Sequence, residues 1–312
     1  MSEAVCAAID WGTTRFRAWL LDAAGEPVAE RRSDEGMSAL KREQFAGVLE
    51  MHLAAMGAGA SLPVVICGMA GSRQGWLEAP YVDAPARFDQ IFASAVAVPG
   101  VRREVRIVPG IAVRDPSRPD VMRGEETQLA GIAATEGGGA LLVCMPGTHC
   151  KWVELAGDTV TGFTTWMTGE LYSVLSQHSI LRHAVGGAPV RITADGPVFL
   201  DWLEEGLTHP ADAASRLFRI RASTLLTGME PAQAAAALSG LLIGSEVGSA
   251  RALFGTGRKT VLVGSGQLGT LYGEALRRAG FNASPVDGDK VVRAGLAEAA
   301  RRNFGGTAGR DA

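Results

Sequence analysis

One pattern occurs twice in this chain, and the repetition restricts its possible folds more than any other feature. The first copy runs Val5-Cys6-Ala7-Ala8-Ile9-Asp10-Trp11-Gly12-Thr13-Thr14-Arg15-Phe16-Arg17-Ala18-Trp19-Leu20. The second runs Leu141-Leu142-Val143-Cys144-Met145-Pro146-Gly147-Thr148-His149-Cys150-Lys151-Trp152-Val153-Glu154-Leu155. Each reads as an apolar strand, a tight Gly-Thr turn and a returning strand with bulky residues. A second turn follows in both, at Ala24-Gly25-Glu26 and at Ala156-Gly157-Asp158, and then a third strand-like run. Two such units, each offering backbone N–H groups and a Thr hydroxyl at a turn, suit the capture of a polyphosphate from two sides. The pattern points to an ATP-dependent phosphotransferase.

Composition removes several rivals. With 312 residues the chain can build two cores, and 47% hydrophobic residues without low-complexity blocks are those of a globular protein. The 30 basic and 33 acidic residues are interspersed and leave a net charge of −3, so no electrostatic reason exists to expect nucleic acid or an anionic membrane as partner. No signal peptide and no run of roughly 18 apolar residues is read, and a cytoplasmic location is expected. Cys6, Cys67, Cys144 and Cys150 lie in or beside apolar runs without metal spacing, as buried free thiols of a reducing compartment do. The histidines show no ligand spacing.

Along the chain, three strands are expected over 5–33, a helix over 40–57, a buried parallel strand at 62–68, a Gly-rich loop at 68–76, a helix near 87–97 and a strand at 105–109. That order is an α/β layer pattern. The turn-rich segment Asp115-Pro116-Ser117-Arg118-Pro119-Asp120 reads as a domain junction. A helix opened by Glu125 and Glu126, the second triple strand at 140–165, a helix at 168–183 and a mostly helical stretch at 197–254 follow. The fold closes with a strand at 259–263, a helix to about 278, a strand near 281–286 and a helix at 288–303. The expected domains are 1–118 and 119–304, with 305–312 a disordered tail.

Four groups of residues carry chemistry. Asp10 ends a buried strand, where a carboxylate needs a partner or a cation, and Gly12, Thr13 and Thr14 add close backbone approach and hydroxyls. Gly264-x-Gly266-x-x-Gly269 follows a strand and opens a helix, the dinucleotide pattern, with Asp287 as a possible ribose acid. Only 25 residues follow Asp287, too few to complete a doubly wound sheet, so an NAD-dependent oxidoreductase is the weaker reading. Glu125 and Glu126 offer a carboxylate to deprotonate an acceptor hydroxyl. Arg73, Gln74, Gly75 and Trp76, with Arg15 and Arg17, suit a small anionic, hydroxylated ligand, unless Trp76 is core and the arginines merely surface.

On these residues the chain resembles a known group. Asp10-x-Gly12-Thr13-Thr14-x-x-Arg17, the Gly147-Thr148 turn and Gly264-Ser265-Gly266-Gln267 are similar to the two phosphate motifs and the adenosine motif of the sugar kinase/Hsp70/actin superfamily. Within it the chain resembles the 2-dehydro-3-deoxygalactonokinases. The runs that carry this are Ile9 to Thr13, Gly68 to Tyr81, Arg123 to Gln128, Pro146 to Trp152 and Met167 to Leu171. The resemblance implies an α/β fold of two RNase H-like (actin-like ATPase) domains around a central ATP and substrate cleft, whose closure excludes water. It implies phosphorylation of the 6-hydroxyl of 2-dehydro-3-deoxy-D-galactonate in galactonate catabolism, with ATP and Mg2+. Asp10 would hold the metal through water. Gly12, Thr13, Thr14, Gly147, Thr148, His149 and Lys151 would meet phosphates, and Gly264, Ser265, Gly266 and Gln267 the nucleoside. Glu125 occupies the position of the catalytic base, with Glu126 or Glu170 as alternatives. Arg15, Ser72, Arg73, Gln74, Trp76, Tyr81, Thr168 and Glu170 are the substrate candidates. A small-molecule substrate is the expected partner, and a homodimer is left open.

Overall fold

The computed structural model describes residues 3–187 and 190–305. The expected disordered tail therefore lies outside the described residues, except for Gly305. The chain divides into two compact units. Unit 1 comprises Met1–Gly139, Leu155–Gly162 and Gly288–Ala312, and unit 2 comprises Ala140–Glu154 and Phe163–Asp287.

Unit 1 opens with β1 (Cys6–Trp11), β2 (Phe16–Leu21) and β3 (Pro27–Ser33), then α1 (Phe45–Ala55) and β4 (Val64–Gly68). It continues with β5 (Val82–Asp83), β6 (Ala86–Arg87), α2 (Phe88–Ala93), β7 (Val96–Ala97), β8 (Val105–Ile107), β9 (Ile111–Val113), β10 (Asp120–Met122) and α3 (Glu125–Glu136). Its main sheet has the order β3-β2-β1-β4-β8-β7, and β10-β9-β5 form a smaller one. Strand β1 runs antiparallel to β2 and parallel to β4. Both β1 and β4 are nearly wholly buried, so their apolar runs are continuous instead of alternating. Exposed β3 carries Glu30, Arg31 and Arg32, charges that discourage pairing at a sheet edge.

Unit 2 holds β11 (Ala140–Met145), β12 (Cys150–Ala156) and β13 (Thr159–Trp166). Next come α4 (Thr168–His178), α5 (Arg182–Val185), α6 (Pro197–Thr208), α7 (Ala213–Leu226), α8 (Pro231–Phe254), β14 (Lys259–Val263), α9 (Gly266–Arg278) and β15 (Asn282–Val286). Its strands follow the order β15-β14-β11-β12-β13, with β14 parallel to both β11 and β15. In each unit the third, second and first strands of a triplet are followed by a later, parallel strand. The repeat seen in the sequence is thus a repeat of topology. Helix α8 is apolar on nearly all sides, as a buried helix must be. Its Gly244 packs so closely on α6 that a β-carbon there would lie 2.3 Å from the Leu203 carbonyl oxygen.

The last helix, α10 (Gly288–Phe304), returns to unit 1. It crosses α3 with backbones in contact. A β-carbon on Gly131 would fall 1.9 Å from the Val291 carbonyl oxygen, and one on Gly295 would fall 1.8 Å from that of Thr127. This packing groups 119–139 and the C-terminal helix with the N-terminal strands, so the compact units are discontinuous where the sequence suggested one boundary at 118/119. The helix expected over 87–97 is the shorter α2, followed by β7. All four cysteines are free and buried, as expected. Among the described residues no helix is long and apolar enough to cross a membrane.

Candidate active site

Two clusters, one in each unit, gather most of the chemistry-bearing residues. In unit 1 the β1–β2 register sets Asp10 opposite Arg17. Arg17 bridges two carboxylates, donating from Nη2 to Asp10 and from Nη1 to Asp289 in the first turn of α10. Asp289 also accepts from Arg32 Nη2 at 2.6 Å. The Asp10 side chain is only 13% exposed, and burial pushes its pKa up while the Arg17 charge and hydrogen bond pull it down.

Beside Asp10 the Gly12-Thr13-Thr14 turn is pinned from one side. Gly12 N–H donates to the Arg15 carbonyl at 2.9 Å, and the N–H groups of Met37 and Ser38 donate to the Gly12 and Thr13 carbonyls. Gly36 lies under the turn, where a β-carbon would approach the Thr14 carbonyl carbon to 2.3 Å. Thr13, Thr14 and Arg15 are left exposed.

Gly68 ends β4 with φ +89°, and a β-carbon on it would lie 2.7 Å from the Trp11 carbonyl oxygen and 3.3 Å from Asp10 Oδ1. Gly124 precedes α3 with φ +105° and a β-carbon there would be 3.3 Å from the Gly68 Cα. Only glycine tolerates these conformations and approaches. They bring the start of α3 to Asp10. There Glu125 is half-buried and accepts the Arg123 N–H at 3.0 Å. Glu126 is fully buried, accepting from Gly124 N–H at 2.6 Å and from the Thr127 hydroxyl at 2.9 Å. Burial, helped by the Glu125 charge, pushes its pKa up to about 8. Glu126 thus braces the helix start, and Glu125 is the less buried carboxylate of the two.

The loop after β4 departs from expectation in one respect. Trp76 does not cover a ligand: it is buried in the unit 1 core, 6.0 Å from Phe45 in a stacked arrangement and 6.2 Å from Trp11. The ring is committed to packing within this core. Arg73 and Gln74 are exposed, Ser72 is buried, and the Tyr81 ring lies under the Arg123 guanidinium.

In unit 2, Gly147 and Gln267 line one cavity of about 940 Å³ together with Thr168, Gly169, Tyr172 and Leu268. A volume of that order holds a nucleotide-sized ligand. Helix α4 starts hard against the Gly147-Thr148 turn. A β-carbon on Gly169 would meet the Gly147 carbonyl oxygen at 2.4 Å, and Glu170 N–H donates to the Thr148 carbonyl at 3.0 Å. His149 Nε2 pairs with Glu170 Oε2 at the surface. Lys151, expected to meet phosphates, is 5% exposed inside β12. At the far wall β14 gives way to α9 through Gly264, exposed Ser265 and Gly266 with φ +61°. Gly264 packs on Gly269 closely enough that its β-carbon would lie 3.2 Å from the Gly269 Cα.

Glu246, a lone acid in apolar α8, braces this cavity from behind. It accepts Trp152 Nε1–H at 2.8 Å, the Tyr272 hydroxyl at 2.6 Å and the Thr168 hydroxyl. Thr168 is therefore tied to the protein as well as lining the cavity. Sequence reasoning missed Glu246, Asp289 and Arg123. The first two had a signal, a single acid in a largely apolar helix and one acid in a helix's first turn.

Two RNase H-like units with these turns define the class: the chain has the fold of the actin-like ATPases and sugar kinases. It belongs to the 2-keto-3-deoxy-galactonokinase family, whose model matches residues 10–299. A relative from Rhizobium meliloti (strain 1021), named "Probable 2-dehydro-3-deoxygalactonokinase DgoK1", is 52% identical over 295 residues, 95% of this chain and 96% of its own. The 2-dehydro-3-deoxygalactonokinase of Escherichia coli (strain K12) is 38% identical, across 93% of this chain and 95% of its own. A crystal structure from Sinorhizobium meliloti, provisionally described as a 2-dehydro-3-deoxygalactonokinase protein, is 51% identical with a TM-score of 0.92, covering 96% of this chain and 99% of that one. A sugar-acid kinase family implies use of ATP, and it leaves no place for the oxidoreductase reading.

Proposed function

We infer that this protein transfers the γ-phosphoryl group of ATP to the 6-hydroxyl of 2-dehydro-3-deoxy-D-galactonate, giving ADP and 2-dehydro-3-deoxy-6-phosphogalactonate in galactonate catabolism. The observation that carries this reading is the convergence of Asp10, the Gly12–Thr14 turn and Glu125 at one end of the unit 1 sheet. Phosphoryl transfer asks little covalent work of a protein, so positioning and charge are what such residues supply.

Glu125 takes the proton of the 6-hydroxyl as that oxygen bonds to phosphorus and the bond to the ADP oxygen breaks. The exposed Thr13 and Thr14 hydroxyls and turn N–H groups are donors suited to phosphate oxygens in unit 1, and the Gly147-Thr148 turn offers donors of the same kind in unit 2. The start of α9, from Gly264 to Gln267, meets the nucleoside, with Leu268 and Tyr272 as apolar walls. Asp10 and Asp289, both drawn to one guanidinium, are the hard oxygen donors that Mg2+ favours, and such ions bind through one or two carboxylates plus substrate phosphates. Asp10 would hold the ion through water. An ion held there would supply charge neutralisation to the phosphates of ATP. The Arg17 charge and hydrogen bond act against the burial that raises the Asp10 pKa. Four buried free thiols favour a reducing, cytoplasmic location.

The test is an ADP-release assay with Mg-ATP against 2-keto-3-deoxy sugar acids and plain sugars. Turnover confined to the galactonate-derived acid is expected. Turnover of plain sugars in preference to any acid would defeat the reading.

A further inference from the structure

We propose that Arg123 and Ser72 form the receptor for the 2-oxo-acid head of the substrate, an assignment that rests on the kinase reading above. Arg123 stands between β10 and α3, two residues before Glu125, whose carboxylate accepts its N–H. Its guanidinium is held in place on two sides. Nη2 donates to the Ala79 carbonyl at 2.7 Å, and Cζ lies 4.4 Å from the Tyr81 ring centroid. Gly71 admits it on a third side, since a β-carbon there would come within 2.9 Å of Nη1.

So positioned, the side chain leaves Nε and Nη1 buried without a hydrogen-bond partner. Ser72 Oγ, in a residue only 6% exposed, is buried and unpartnered as well. Buried donors of this kind are rare, because each forfeits its hydration without a replacement, and a charged one forfeits most. Gly71, whose β-carbon position lies 2.9 Å from Nη1, directly precedes Ser72, so these three unsatisfied donor groups belong to neighbouring stretches of chain and together suit something rich in acceptors. The head of a 2-dehydro-3-deoxy sugar acid offers two carboxylate oxygens and one keto oxygen, and no donor. Shielding from water strengthens each charge-assisted bond. A neutral sugar has no such head group and leaves the donors unpaired, so the same residues discriminate against plain hexoses.

Arg15 and Arg73, the arginines singled out in the sequence, are exposed, where solvent screens a carboxylate contact. Arg123 also sits beside the base. Anchoring one end of the acid at Arg123 leaves the chain of the sugar to carry its far hydroxyl toward Glu125.

The test compares wild type, Arg123→Met, Arg123→Lys and Ser72→Ala with 2-dehydro-3-deoxy-D-galactonate and with its C1 carboxamide. ATP affinity and thermal melting are measured alongside. Arg123→Met should raise the KM for the acid by about 100-fold while ATP affinity stays within about twofold, as loss of a charge-assisted contact confined to one substrate would do. Wild type should prefer acid over carboxamide, and Arg123→Met should lose that preference. Arg123→Lys and Ser72→Ala, milder changes, should give intermediate KM values with the wild-type fold. An unchanged KM in folded variants, or an undiminished preference for the acid, would overturn the assignment alone. Wild type inert toward the acid would overturn the kinase reading itself, and this assignment with it.

Discussion

Asp10 shows why a carboxylate at a strand end carries information. Burial raises its pKa, and only the Arg17 charge and hydrogen bond offset that. Asp10→Asn should lower kcat by at least about 100-fold, the scale for losing one preorganised electrostatic group. Its melting temperature should stay near wild type, because Arg17 keeps Asp289. Near-normal kcat in a folded variant would remove the metal role. Glu125→Gln should cost about 10²–10⁴ in kcat as loss of a general base. Glu126 behaves differently, since its pKa of about 8 in the fold exceeds the ordinary 4.5. Between those values the native state holds a proton that the unfolded chain has released, so this group weakens stability as pH rises from about 4.5 to 8. The slope is roughly 1.4 kcal/mol per pH unit. Glu126→Gln should therefore gain on wild type in urea titrations at pH 8 relative to pH 5. A constant difference would contradict the raised pKa. At this scale the sequence was readable where a residue type is demanded locally, as at Asp10 or Gly124. It was not readable where direction decides. Trp76 and Lys151 sit beside telling turns yet face inward, and Arg123 gains its meaning from Ala79, Tyr81 and Gly71, remote in the chain.

Elements meet here through glycines that admit backbone contact. Gly131 and Gly295 set the α3–α10 crossing, which in turn places Asp289 beside Arg17 and Glu125 at the end of β4. Gly131→Ala or Gly295→Ala should destabilise unit 1 by about 1–3 kcal/mol or more, since the added methyl must push a packed helix outward. Chemical denaturation measures this, and a neutral change would show that the crossing is looser than the structure has it. Gly169→Ala should act on function instead: displacing Gly147 ought to raise the KM for ATP several-fold with little change in the KM for the acid. Strong apolar runs made β1, β4, β11 and β14 legible, and the strand-turn-helix at 259–278 as well. The two- and three-residue strands β5, β6, β7, β9 and β10 were not, because so few residues carry no period and their pairing is dictated by neighbours.

At the scale of the molecule, the duplicated strand-turn-strand pattern is the main fact. It reappears as the same strand order in both units, each unit ending its central strands in a glycine-bearing turn. The discontinuity of the units escaped the sequence, since nothing local in 288–304 says that this helix returns to α3. The function inferred from these turns is a transfer to one hydroxyl of one acid, and the product records it. Wild-type protein incubated with Mg-ATP and 2-dehydro-3-deoxy-D-galactonate should yield a single phosphorylated acid, whose phosphorus couples in NMR to the protons on carbon 6. No phosphorylated acid, or phosphorus coupled to another carbon, would contradict the account.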